Sequence, residues 1–218
     1  MAVIAVIAYA TGALAQDAQP SATDLAARNI FAELQSPALE VLKKTTRLDM
    51  LDYWDADSVF KAVNGLGGRS WLEKVTPSYL KLMVSPVSSY EIKILPTKKG
   101  KVIMTVYTVG GDSQAADSQV AFYDTTLKPL DAHKYFTAPD LKDFFDIPKG
   151  SLTSMKEIRE MIPFSTVEWS ASPDNDSLTG KLTVEKYMDT DNWNIVKLFL
   201  RPSITMEWKG DKYKYKKQ

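Results

Sequence analysis

Residues 101–130, KVIMTVYTVGGDSQAADSQVAFYDTTLKPL, constrain the fold more than any other stretch: they read as two long strands joined by a glycine-containing loop. In the first strand Val102, Met104 and Val106 point one way and Ile103, Tyr107 and Val109 the other, so both faces are apolar. A strand with one wet face alternates apolar with polar residues, whereas a strand apolar on both faces is covered on both. Its neighbour over residues 119–124 repeats the pattern, with Val120 and Phe122 against Ala121 and Tyr123. The pair belongs to the middle of a sheet.

The rest of the chain extends this sheet and predicts a second. Upstream, residues 69–75, 79–84 and 89–95 read as strands, with Leu80, Leu82 and Val84 on one face and Tyr90, Ile92 and Ile94 together on another. Turns at Thr76-Pro77 and over residues 96–100 make an antiparallel meander. Before it, Ser21-x-x-Asp24 resembles a capping box for a helix carrying Ala27, Ile30, Phe31 and Leu34. Ser36-Pro37 opens a short helical piece, and residues 47–60 a third. After residue 130 a short helix is expected over 139–145. A better one is expected over 154–162, with Ser154 and Glu157 as its capping box and Pro163 as its stop. Strands are then predicted at residues 166–170, 178–187, 193–200, 203–208 and 212–216. The expected class is α+β: antiparallel meanders with helices packed on one face. Helices followed by strands occur twice, which divides the chain at residues 16–130 and 131–218 as a tandem helix-plus-strands repeat. A single sandwich or barrel with peripheral helices is the alternative.

Composition excludes much chemistry. Lys+Arg and Asp+Glu are both 27, so no net field draws the chain to nucleic acid. There is no cysteine, which removes disulfides, thiol nucleophiles and thiolate metal sites. The one histidine, His133, cannot make a multi-histidine metal site within one chain. The apolar run over residues 2–15, with Ala13 and Ala15 before Gln16, has the pattern of a secretory signal peptide over residues 1–15. It is shorter than the roughly 20 residues that span a bilayer, so no integral membrane segment is expected after cleavage.

Several motifs together resemble a family of exported Bacteroidetes proteins, the domain-of-unknown-function family 3256. They are RLDMLDYWD from Arg47, NGLGGRS from Asn64, VTPSYLKL from Val75, KILP from Lys93 and DSQVAFYDTTLKPL from Asp117. Where the family pattern has a tryptophan before Lys128, this chain has Leu127. The resemblance implies export and periplasmic or secreted residence; it implies no activity and no functional residues.

Candidate sites are few. Asp49, Asp52 and Asp55, with Asp57 beyond, would line one edge of a helix, an arrangement able to bind a hard cation or serve acid/base work but more often a solvated face, here partly balanced by Arg47 and Lys61. Asp174, Asp176 and Glu185 imitate the ends of a calcium loop, yet Leu178 and Thr179 stand where an oxygen ligand and a glycine belong. Residues 64–70 have three glycines but lead from helix to strand, the reverse of a phosphate loop. His133 follows Asp131 without a nucleophile elbow. Trp71, Trp169, Trp193 and Trp208, with Tyr187, are expected mostly in the core. Tyr213 and Tyr215, interleaved with Lys212, Lys214, Lys216 and Lys217, form the strand expected to be exposed.

The expectation is therefore an exported binding protein without catalysis or cofactor, using a sheet face or edge to hold a protein or peptide partner of the cell envelope. Tyr213, Tyr215, Lys212 and Lys214 are its candidate contacts. A hydrolase of envelope or dietary polymer would need two carboxylates about 5 to 9.5 Å apart, and Asp49, Asp52 and Asp55 are the clustered acids on offer. A glycan-binding module would need coplanar exposed tryptophans.

Overall fold

The computed structural model describes residues 25–111 and 114–216. The expected signal peptide, the Ser21–Asp24 capping box and Lys217 lie outside the described residues. Two helices, α1 (Ala27–Glu33) and α2 (Lys44–Asp55), precede seven strands: β1 (Ala62–Val63), β2 (Arg69–Val75), β3 (Tyr79–Ser85), β4 (Ser88–Thr97), β5 (Gly100–Gly111), β6 (Gln114–Tyr123) and β7 (Pro129–Leu130). They pair antiparallel in chain order as one meander.

Two 3-10 turns (Ala132–Lys134 and Leu141–Phe144) and α3 (Met155–Met161) follow. Then come β8 (Val167–Ala171), β9 (Ser177–Leu182), a 3-10 turn (Val184–Tyr187), α4 (Thr190–Val196), β10 (Ile204–Trp208) and β11 (Tyr213–Tyr215). β8 to β11 make a four-stranded sheet in the order β11-β10-β9-β8.

β5 walls two cores. Ile103 packs with Ile30, Phe31, Leu39, Met50, Leu80, Tyr90 and Ile92 beneath α1 and α2. Val102, Met104 and Val106, on its other face, pack with Trp169, Leu178, Leu182, Ile204 and Met206 of the second sheet. The two-faced apolar strand is thus the middle layer between helices and a second sheet, and Ile158 of α3 and Val196 of α4 close the second core. The second sheet lies across the first, and neither one extends the other.

Local signals act as the sequence predicts at several points. Ser154 and Glu157 form a complete capping box on α3. Gly67 takes the left-handed φ of 77° at the corner after β1, a conformation open to glycine without strain. There the buried Asn64 accepts from Leu66 N and Gly68 N and donates to Ser70 Oγ and Val84 O.

Other expectations are corrected. Residues 193–200, expected as a strand, hold the end of α4 and a turn: Asp189 accepts from Asn192 N as the helix cap, Trp193 and Val196 lie three apart on the side packed against the second core, and Leu200 after the turn bridges to Phe145. The strand expected to reach residue 187 stops at Leu182, and a 3-10 turn follows. The piece after Ser36-Pro37 is a set of turns, with Leu39 N and Glu40 N both donating to Ser36 O. Arg47 does not balance the aspartates of α2. Its buried guanidinium donates to Phe31 O (2.8 Å) and Leu34 O (2.9 Å), closing the C-terminal end of α1.

Candidate functional site

β4 carries two charges into the second core. Tyr90, Ile92 and Ile94 face the helices, so alternation sends Glu91 and Lys93 toward the second sheet, where each is only 3% exposed. Both grip the β8–β9 hairpin. Glu91 Oε2 accepts from Ala171 N (2.7 Å) and Oε1 from Ser170 Oγ (3.2 Å). Lys93 Nζ donates to Pro173 O (3.5 Å) and stands 3.8 Å from Asp176. Burial pushes the Glu91 carboxyl up to about 7, against the lowering effect of the Ala171 N–H, Lys81, Ser170 and Tyr79. Burial likewise draws Lys93 down, opposed by Asp176 and Asp174. Both oxygens of Glu91 are engaged by the hairpin, so the group serves as an acceptor for a strand and is not presented to solvent as a base.

Glu91 is one of three side chains that close the edge of β8. The β8–β9 ladder uses the even-numbered residues, because Ser172 N donates to Ser177 O and Thr183 N to Thr166 O. The N–H groups of Val167, Trp169 and Ala171 therefore point away from β9. They donate to Asp117 Oδ1 (3.1 Å), Ser118 Oγ (2.9 Å) and Glu91 Oε2, side chains standing on β6 and β4. Ser118 is held in turn by Thr108 of β5 (2.7 Å). β8 thus crosses the first sheet from β6 to β4 with its edge amides seated in side-chain acceptors.

Other edges are covered differently. On β11 the outward N–H of Tyr213 donates to Tyr135 O (2.8 Å), and on β6 the carbonyl of Ala116 accepts from Thr183 Oγ1 (2.6 Å). β2 differs. Among the described residues β1 covers it only at Arg69 and Ser70, which leaves Trp71 to Val75 without a strand beyond them. A register shift between Leu72 and Lys74 bends this segment. Half-buried Trp71 lies opposite Met83, and Lys61 Nζ stands 5.1 Å from the Trp71 ring centroid.

A shallow cleft of about 390 Å³ opens beside the hairpin, its walls including Asp176, Ser177, Thr205, Glu207, Trp208 and Lys216. Glu207 lies between Lys209 (2.6 Å) and Lys216 (2.8 Å), whose ammonium groups hold its carboxyl down to about 2. Trp208 Nε1 donates to Pro96 O (2.6 Å), which fixes the indole to the end of β4.

The residues singled out from sequence are mostly scattered. Asp55 forms a two-pronged pair with Arg28 (3.0 and 2.6 Å), which lowers its carboxyl, while Asp49 and Asp52 are exposed on α2. Among the described residues no three acidic or histidine side chains are grouped to hold a metal ion. Asp174 and Asp176 sit in the loop of the β8–β9 hairpin, as expected of SPDNDS. His133 is exposed, and Asp131 accepts from its backbone N–H as a turn cap, not from its ring.

Trp169 is buried, and Trp71, Trp193 and Trp208 are half-buried at separate places in the fold. Tyr213, expected on an exposed strand, is 1% exposed: its ring packs on Trp208 (5.1 Å) and Phe136 (6.4 Å). Tyr215 is half-buried and donates to Asp143 O (3.2 Å). β11 is an edge strand, with Lys214 exposed and Lys212 half-buried, but its tyrosines face inward. Glu91 and Lys93 escaped the sequence reading, although the two-sided cover of β5 was a signal that its neighbour β4 must also be covered on both faces.

Among the described residues no helix is long and apolar enough to cross a membrane. Among curated proteins none matches the sequence. The fold is similar to the structure of a domain of an uncharacterized protein from Porphyromonas gingivalis W83, with a TM-score of 0.73 at 21% identity, covering 88% of this chain and 98% of that one. The family described as "Protein of unknown function (DUF3256)" matches residues 21–213, nearly all of the described chain, and this protein belongs to it.

Proposed function

We propose that the protein is an exported, non-catalytic interaction protein that takes an extended segment of a protein partner along β2. The carrying observation is the contrast between edges. β8 is closed by Asp117, Ser118 and Glu91, and β11 and β6 have edge groups taken by Tyr135 and Thr183, whereas among the described residues no strand pairs with the outer side of β2 from Trp71 to Val75. An uncovered edge offers main-chain donors and acceptors to an added strand, and the alternating side chains beside it supply selectivity. Here those side chains are Trp71 and Met83 on one face, with Lys61, Glu73 and Lys74 around them. The partner is sought in the cell envelope, in keeping with the signal-peptide pattern at the N-terminus and the Bacteroidetes source of the similar structure.

The test is selection of peptides from a random display library, followed by mapping of a selected peptide on the labelled protein by NMR. Amide shifts and new exchange protection over residues 71–75 are expected. Shifts confined to β11 or to the cleft at Glu207, or no selected binder at all, would refute the assignment.

A further inference from the structure

We propose that Glu91 is an acid-held latch: with its carboxyl protonated the β8–β9 hairpin stays seated on the first sheet, and ionisation favours lifting of the hairpin. The geometry carries this. Glu91 is the one carboxylate of β4, it is almost fully buried, and its two oxygens accept from Ser170 and Ala171. In the protonated state Oε2 still accepts from Ala171 N, while Oε1–H donates to the Ser170 hydroxyl oxygen, which can act in either sense. Once ionised, the carboxylate keeps the donors Ala171 N, Ser170 Oγ and the Tyr79 hydroxyl in place of the full hydration that lifting the hairpin would give it, and with burial the larger effect charge favours the open form.

The surrounding charges do not cancel this. From β3, Lys81 and Tyr79 face Glu91, but Lys81 is paired with Glu73 of β2 at 2.8 Å. On β4 itself Lys93 is answered by Asp176 and Asp174 of the hairpin loop. β5 and β6 present Val106 and Val120 in the same row, and Glu168 shares the Ser170 face of β8. Burial remains the largest influence and holds the carboxyl near 7. A carboxyl raised in the closed form stabilises that form fully below its ordinary value of 4.5 and loses the effect as pH rises toward about 7. The paired surface carboxylates Asp55, Asp140 and Glu207, held low in the fold, act in the opposite sense, so the latch has its own sign.

Amide exchange of the whole protein between pH 4.5 and 8.5 tests it. Protection of Ala171, corrected for the intrinsic rate, should fall by up to about tenfold per pH unit below 7 and level off above, while Met104 in β5 does not follow. In Glu91→Gln the fall should vanish. Ala171 protection that is flat or rises with pH, Met104 falling in step with it, or a Glu91→Gln variant as pH-sensitive as the parent would overturn the latch. Should that variant not fold, the carboxyl carbon of Glu91 in the parent protein decides. A midpoint near 7 that coincides with the Ala171 transition supports the latch, and one below 5 overturns it.

Discussion

The six-membered ring of Trp169 lies against the Cα of Gly180, its direct partner across the β8–β9 ladder, where a Cβ would overlap three indole atoms. Gly180 is needed there for space, since its φ is not in the left-handed region. Gly180→Ala must push the indole off β9 and into the core shared with Met104 and Phe122, and should destabilise the protein by about 1–3 kcal/mol. Urea unfolding followed by tryptophan fluorescence measures this, and a native emission shift would report the displaced ring.

Removing the guanidinium that closes α1 should be severe as well. Arg47→Met keeps most of the apolar stem but leaves Phe31 O and Leu34 O without their charged donor, an expected loss of about 1.5–3 kcal/mol. Arg47→Lys cannot reach both carbonyls with the same fork and should recover only part of the loss. Thermal unfolding of the two variants against the parent checks the order.

The two tyrosines of β11 should respond oppositely to loss of the hydroxyl. Tyr213 Oη is buried and has no hydrogen-bond partner among the described residues, so Tyr213→Phe should leave stability unchanged or raise it by about 1 kcal/mol. Tyr215→Phe gives up the bond to Asp143 O and should lower it by about 0.5–1.5 kcal/mol. Denaturant midpoints of the pair decide between a buried and an exposed β11 ring.

Glu207 gives a salt-dependent titration. Lys209 and Lys216 hold its folded carboxyl at about 2, below the ordinary 4.5, so its contribution to stability is present above 4.5 and is lost as pH falls toward 2. The carboxylate is half-buried but still reached by solvent, and salt should weaken the pairing. NMR titration of its carboxyl should give a midpoint that moves up toward 4.5 in 1 M salt, and a midpoint unmoved by salt would contradict this origin.

How far the sequence could be read depended on whether a residue's partners were local. Ser154 and Glu157 lie three residues apart, and their capping box was legible as written. The two-faced pattern of Val102 to Tyr107 located the central strand because covering both faces marks successive positions, although Val109, read as part of the same face, is exposed. In YEIKIL the same logic was obscured: Tyr90, Ile92 and Ile94 alternate with charges, so Glu91 and Lys93 read as a wet face. Their partners Ala171, Pro173 and Asp176 are some 80 residues away, and no local pattern encodes them. In residues 193–200, Trp193, Ile195 and Phe199 mimic a strand's alternation. The deciding contact is Val196, whose burial against the second core favours the helical phase.

The charged face of β4 also bears on how the protein is made. Synthesis runs from the N-terminus, so α1, α2 and the seven-stranded sheet leave the ribosome before β8 to β11 exist. During that interval the sheet's second face, with Val102, Met104, Val106 and Phe122, stands open. An unbroken aliphatic surface of this kind is what nascent chains stick together by. Glu91, Lys93, Thr108 and Ser118 interrupt it and keep it wetted until the hairpin arrives to take up Glu91, Lys93 and Ser118 as its own acceptors and donor.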